Sequence, residues 1–172
     1  NDATGRAVRR FEKNPRDVKV RWQPHPGHPL AYLTGPALER AVVELLQNAI
    51  EASARGANVD VDVTQSNTHA IVAVRDRGTG IPVAVRDRVF HPFVTTKAGA
   101  MGMGLAICHK LLQDCGGNLA FQSSAGEGST FKLLIPYITT AYLAFHQREH
   151  VFVVAHCNQE SVQYISHLQL QR

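Results

Sequence analysis

The chain has 172 residues, 44% of them hydrophobic and 19% charged, which fits one globular domain with a short appendage and excludes disorder, a fibrous repeat and a disulfide-stapled miniature fold. Its formal net charge of +4 comes from scattered Lys and Arg without the basic and aromatic interleaving of an RNA-binding sheet, so nucleic acid is not the expected partner.

The opening residues, NDATGRAVRRFEK, lack the apolar stretch of a signal peptide, and no apolar run of about 18 residues follows anywhere, so no direct membrane contact is expected. Val18 to Trp22 (VKVRW) alternate apolar and polar and predict a strand at a sheet edge; QPHPGHP after it is a loop broken by proline and glycine. From Pro36, the run ALERAVVELLQNAIEASARG puts Leu38, Ala41, Val42, Leu45, Leu46, Ala49 and Ile50 on one helical face, with Pro36 near the start and Gly56 just past the end. Asn58 to Thr64 and His69 to Arg75 alternate and are joined by the turn-like QSNT, the pattern of a hairpin.

DRGTGIP is glycine-rich and irregular, a short helical piece follows near Val83 to Val89, and HPFVTTKAGAMGMG is a second irregular stretch of a length that usually serves function. Leu105, Cys108, Leu111, Leu112 and Cys115 mark a second amphipathic helix that stops at Gly116 and Gly117. Cys108 and Cys115 stand about two turns apart on it, too far to bond, and the unpatterned cysteines point to a reduced, cytosolic setting. Asn118 to Gln122 and Thr130 to Ile135 are strands flanking the turn SSAGEGS. Helices interleaved with hairpin strands predict a two-layer α/β sandwich over residues 1–136. Residues 137–172 read as a C-terminal extension, with VFVVA (Val151 to Ala155) as a buried strand and Val162, Ile165 and Leu168 lining a short helix.

Chemistry-bearing residues gather in the middle of this layout. Glu44 and Asn48 lie within about 40° of each other off the apolar stripe, where a carboxylate and an amide oxygen can hold a hydrated Mg²⁺ or polarise a water, or form a solvated helix face. Asp76 ends a strand and opens DRGTG; it can accept a hydrogen bond from an exocyclic amine, or make an Asp-Gly turn. Gly99, Gly102 and Gly104 precede the helix that begins near Leu105, an outline of a phosphate site at a helix N-terminus or of a flexible linker. Lys97 can close on phosphates as a point charge or stay solvated, and Gly126, Gly128 and Thr130 lead into the last strand.

In order and spacing, Glu44/Asn48, Asp76-Gly78-Gly80, Phe90-Phe93, Gly102-Gly104 and Gly126-Gly128-Thr130 resemble the N, G1, F, G2 and G3 boxes of the GHKL or Bergerat-fold ATPases. QNAIEA, FVTTKAGAMGMGLAI and GEGSTFKLLIP bring the chain nearest, within that superfamily, to the catalytic ATP-binding domain of sensor histidine kinases. The resemblance spans about Leu30 to Pro136. It implies a mixed, mostly antiparallel sheet covered on one face by helices, with ATP and Mg²⁺ as cofactors. It also implies roles: Asn48 on Mg²⁺, Asp76 on the adenine amine, Gly78, Gly80 and Ile81 around the base, and Thr130 behind it. The segment from Phe90 to Met101 resembles the ATP lid, bringing Phe93, Thr95, Thr96 and Lys97 to the nucleotide, with Gly102, Met103, Gly104 and Leu105 at the phosphates.

Two departures from the family pattern bear on activity. Glu44 stands where many kinases carry Asn; gyrase and MutL relatives use a Glu there to activate water, and some histidine kinases an acid to polarise the attacking histidine. None of the nine histidines sits in a phosphoacceptor box, so the resemblance places a histidine-bearing, homodimerising helical hairpin upstream of Asn1 and implies a cognate response regulator. The domain itself is then cytoplasmic, whether or not its parent is anchored in an inner membrane. His146, His150 and His156 read as surface or core residues rather than metal ligands. HVFVVAHCNQES has a faint likeness to the first strand and helix of a receiver domain, with Ala155 and His156 where its acidic pair would be. Two competing readings are a gyrase-type ATPase and a non-catalytic module that senses nucleotide.

Overall fold

Apolar residues at every second position decide the sheet. The computed structural model describes residues 1–27, 31, 33–97, 99–137, 154–158 and 161–165. In β1 (Lys19–Gln23), β2 (Asn58–Gln65) and β3 (His69–Arg75) the alternation expected from sequence is followed, with Val59, Val61 and Val63 of β2 and Ala70, Val72 and Val74 of β3 buried. In β4 (Asn118–Ser124) and β5 (Gly128–Pro136) the inward set is Leu119, Phe131, Leu133 and Ile135. The strand order is β1-β2-β3-β5-β4, with β1 parallel to β2 and every other pair antiparallel, so β1 and β4 are the edges. Each fully buried Val, Leu or Ile on the inner face contributes about 1.5–3 kcal/mol.

The helices cover that inner face, giving the two-layer sandwich. In α2 (Gly35–Ala52) the Thr34 hydroxyl accepts the Ala37 N–H at 3.4 Å, and Ala41, Val42, Leu45, Leu46, Ala49 and Ile50 pack into the core. The helix stops short of Gly56 because Ser53 turns extended (φ −82°, ψ 150°), its hydroxyl donating back to the Ala49 carbonyl at 2.7 Å. After the single turn of α3 (Val83–Arg86), α4 (Gly104–Asp114) buries Cys108 and Leu112, and the Gly117 N–H closes its end on the Leu112 carbonyl at 2.7 Å. Burial pushes the Cys108 thiol up to about 12, so it behaves as a small apolar side chain.

The helix α1 (Asp2–Arg9) is the element that periodicity did not announce. It buries Ala3, Ala7 and Val8, docks on α2, and pairs Arg6 and Arg10 with Glu39 at 2.8 and 2.7 Å. Its buried face, Ala3, Thr4, Gly5, Ala7 and Val8, is short and holds little apolar bulk, although it is set off from the arginines on the other side.

The chain divides into two compact units, Asn1–Ile138 and Thr139–Arg172. In the second, β6 (Val154–Asn158) and β7 (Ser161–Ile165) form an antiparallel pair with Ala155 opposite Tyr164 and Cys157 opposite Val162. This corrects the short helix expected through Val162 and Ile165: SVQYI holds three β-branched or aromatic residues in five, and strand pairing prevails. Leu168 and residues 151–153 lie outside the described residues.

Candidate functional site

A cavity of about 880 Å³ opens between α2, the start of α4, the irregular segment before it and the inner ends of β3 and β5. The stripe of α2 next to its buried face carries Glu44, Gln47, Asn48 and Glu51 at helical spacing, and all of them line this space. Apolar walls come from Ile81, Val85, Val89, Ile107 and Phe131.

One end of the cavity is buried and closely hydrogen-bonded. Asp76 is 4% exposed; its Oδ1 accepts the N–H groups of Gly78 at 2.8 Å and Ser129 at 3.3 Å. Desolvation raises the Asp76 pKa, opposed by those N–H groups, and among the described residues no donor is hydrogen-bonded to its second oxygen. The backbone around it is packed to contact. A Cβ on Gly78 would fall 2.2 Å from the Ala52 carbonyl oxygen, and one on Gly128, already at φ +99°, 2.2 Å from that of Asp76.

The opposite end is polar and open. Among the described residues the N-terminus of α4 has no side-chain cap, and Gly102, Met103, Gly104 and Leu105 line the cavity there, so its N–H groups and the positive helix end face it. Glu44 lies against this terminus: its Oε1 forms an ion pair with Arg40 Nη2 at 2.7 Å, and its Oε2 occupies the space, 2.6 Å away, that a Cβ on Gly104 would need. Lys97 reaches across from the irregular segment, donating to Asn48 Oδ1 at 3.0 Å and pairing with Glu51. Burial raises the Glu51 pKa, but the hydrogen bonds from Lys97 and Gln47 outweigh it and hold the carboxyl below its ordinary value. Phe90 anchors the start of the segment, stacking on His109 at 5.0 Å and meeting Phe121 edge-on at 5.5 Å.

The structure brings Glu44, Asn48, Asp76, Gly80, Ile81, Thr95, Thr96, Lys97, Gly102, Met103, Gly104 and Leu105 to this one cavity. Three expected residues stand elsewhere. Gly78 packs behind the wall on α2. Phe93 is 73% exposed at φ +66° and turns outward, its N–H held by the Gly102 carbonyl at 3.0 Å. Thr130 faces the outer side of the sheet, where its hydroxyl accepts Arg75 Nε at 3.3 Å, while its neighbour Ser129 is buried in the cavity wall. Alternation from Phe131, Leu133 and Ile135 points to Ser129, not Thr130, as the inward residue. Sequence reasoning also passed over Arg40 and Glu51, although Glu51 lies three residues beyond Asn48 and so on the same helical stripe.

An acceptor-only carboxylate in an apolar slot, opposite an uncapped helix terminus and a lysine, suits a ligand with a flat, amine-bearing head and an anionic tail. Residues 34–139 match the family described as histidine kinase-, DNA gyrase B-, and HSP90-like ATPase. The chain is 36% identical over 101 residues to the alginate biosynthesis sensor protein KinB of Pseudomonas aeruginosa, covering 58% of this chain and 17% of that protein. It is 31% identical over 125 residues to the sensor histidine kinase ZraS of Escherichia coli K12, covering 73% and 27%. It thus spans less than a third of these relatives. Among solved structures it superposes on the mycobacterial sensor histidine kinase MprB with a TM-score of 0.69 at 27% identity, covering 78% of this chain and 92% of that one. The catalytic domain of histidine kinase ThkA gives 0.70 at 25% identity, covering 79% and 92%.

Proposed function

Because the chain belongs to the histidine kinase-, DNA gyrase B- and HSP90-like ATPases, we propose that its cavity binds ATP and that residues 1–136 act as the catalytic domain of a sensor histidine kinase, with 137–172 an extension. The observation that carries this reading is Asp76: a buried carboxylate with one oxygen committed to backbone N–H groups and the other, without a donor among the described residues, open to the adenine amine. Ser129 lies beside it, and Ile81 and Phe131 flank the base.

The phosphates would run toward the uncapped start of α4, with Lys97 exchanging its contacts with Asn48 and Glu51 for phosphate oxygens. Among the described residues no cluster of three or more His, Cys, Asp or Glu is placed to hold a metal, so Mg²⁺ would enter with the phosphates and take the Asn48 amide oxygen. Bound there, Mg²⁺ supplies neutralisation of phosphate charge. Glu44, held by Arg40 at the edge of the same space, would take a proton from the attacking group.

In the full protein that group would be a histidine on a dimerisation domain, and the phosphoryl would pass on to a response regulator. Glu44 also suits activation of water, as in the gyrase branch, and that reading predicts hydrolysis by the chain alone.

The test is calorimetric titration with ADP and a non-hydrolysable ATP analogue, with and without Mg²⁺, followed by phosphotransfer to a supplied histidine-bearing domain. Magnesium-dependent binding and transfer are expected. No binding by the intact chain would overturn the nucleotide site, and binding with hydrolysis but no transfer would favour the gyrase-type reading.

A further inference from the structure

A hydroxyl just behind the cavity wall decides which way a hydroxyl in the wall points. Ser123, on β4, does not line the cavity. Its Oγ accepts the Ile81 N–H at 2.8 Å and lies 3.0 Å from both the Gly128 carbonyl oxygen and Ser129 Oγ. A serine hydroxyl has one proton and two lone pairs. The Gly128 carbonyl can only accept, so the Ser123 proton goes there. One Ser123 lone pair holds Ile81, and the other is filled by the proton of Ser129. Ser129 then turns lone pairs, not a proton, into the cavity it shares with Asp76.

We propose that Ser123 is a positioning residue that sets purine selectivity: by holding the Ser129 proton it keeps the base end of the cavity acceptor-only, favouring a purine with a 6-amine over one with a 6-carbonyl. The proposal rests on the ATP reading above. A 6-carbonyl placed at this wall would meet the lone pairs of Asp76 and Ser129 and no donor, and a site whose polar groups stay unpaired discriminates strongly. Removing the Ser123 hydroxyl frees the Ser129 proton to turn outward and donate to that carbonyl.

The experiment measures dissociation constants for ADP and inosine 5′-diphosphate by calorimetry, in the wild type and in Ser123→Ala, Ser123→Thr, Ser129→Ala and the Ser123→Ala/Ser129→Ala pair. Ser123→Ala should narrow the preference for ADP by about tenfold, Ser123→Thr should keep it, and Ser123→Ala should add nothing once Ser129 is alanine. A merely structural role, anchoring the Gly80–Ile81 turn, would weaken both nucleotides by one factor and leave their ratio unchanged, which overturns the proposal. If Ser123→Ala does not fold, Ser123→Cys, whose thiol is a weak partner, must narrow the ratio instead, and an unchanged ratio there is equally fatal. A wild type that binds neither nucleotide removes the ATP reading and this proposal with it. A wild type that prefers ADP while the ratio survives every substitution at Ser123 removes this proposal alone.

Discussion

The two ends of the cavity use glycine for different reasons. At the base end, Gly78 and Gly128 are required by contact, since a Cβ on either would strike backbone carbonyl oxygen at 2.2 Å. At the mouth, Gly99 sits at φ +75° with nothing within 4 Å of where its Cβ would be, so only the turn asks for glycine. Polar groups follow the same division. Asp76 is 4% exposed and bonded to backbone N–H groups, whereas the Lys97 side chain is 36% exposed and bonded to other side chains. A wall set by backbone contact is preorganised and can discriminate; a mouth held by exchangeable ion pairs can close on a ligand and open again.

Substitutions of graded severity test that division. Gly128→Ala combines left-handed strain with a backbone clash and should cost about 3 kcal/mol or more, read from urea unfolding. An unchanged midpoint would mean that the base end is as pliable as the mouth. Asp76→Asn keeps an acceptor for Gly78 and Ser129 but presents an amide donor where, in the proposed ATP site, the adenine amine would donate, so ADP affinity should fall about a hundredfold or more in calorimetry.

The same variant has a pH signature. Because burial raises the Asp76 pKa, its favourable contribution is present at acid pH, below the ordinary carboxylate range, and is lost as pH rises through the raised value. Asparagine carries no such cost, so Asp76→Asn should melt above the wild type at neutral pH, and the gap should close on acidification. A gap that widens at acid pH would contradict desolvation as the dominant cause.

Effects at the mouth should be smaller. Glu51→Gln releases Lys97 from a partly exposed ion pair and should tighten binding of an ATP analogue by about threefold to fivefold, with no such gain in a Lys97→Ala background. A gain that persists without Lys97 would assign the effect to net charge rather than to the pair. Gly99→Ala should be the milder of the two glycine substitutions, about 1–2 kcal/mol in thermal unfolding, because only φ opposes it.

Periodic and local features were determined by the sequence alone. The stripe from Leu38 to Ile50 predicts α2, the alternating NVDVDVT and HAIVAVR predict β2 and β3, and the ordered glycine motifs locate the cavity, because each signal is complete within a few turns of chain. Contacts between distant segments were decided only by the tertiary structure. The helix α1 offers only Ala3, Ala7 and Val8 as its apolar face over two turns, too short a stripe to stand out before its packing on α2 is seen. Phe93 faces outward because Gly102 captures its N–H, and Ser123 reaches Ile81 across 42 residues of chain. Ser129 falls between these cases. Its inward direction follows from the period of β5, but its role depends on Asp76 lying opposite, and hydrogen bonds of that kind form only once the strands have paired.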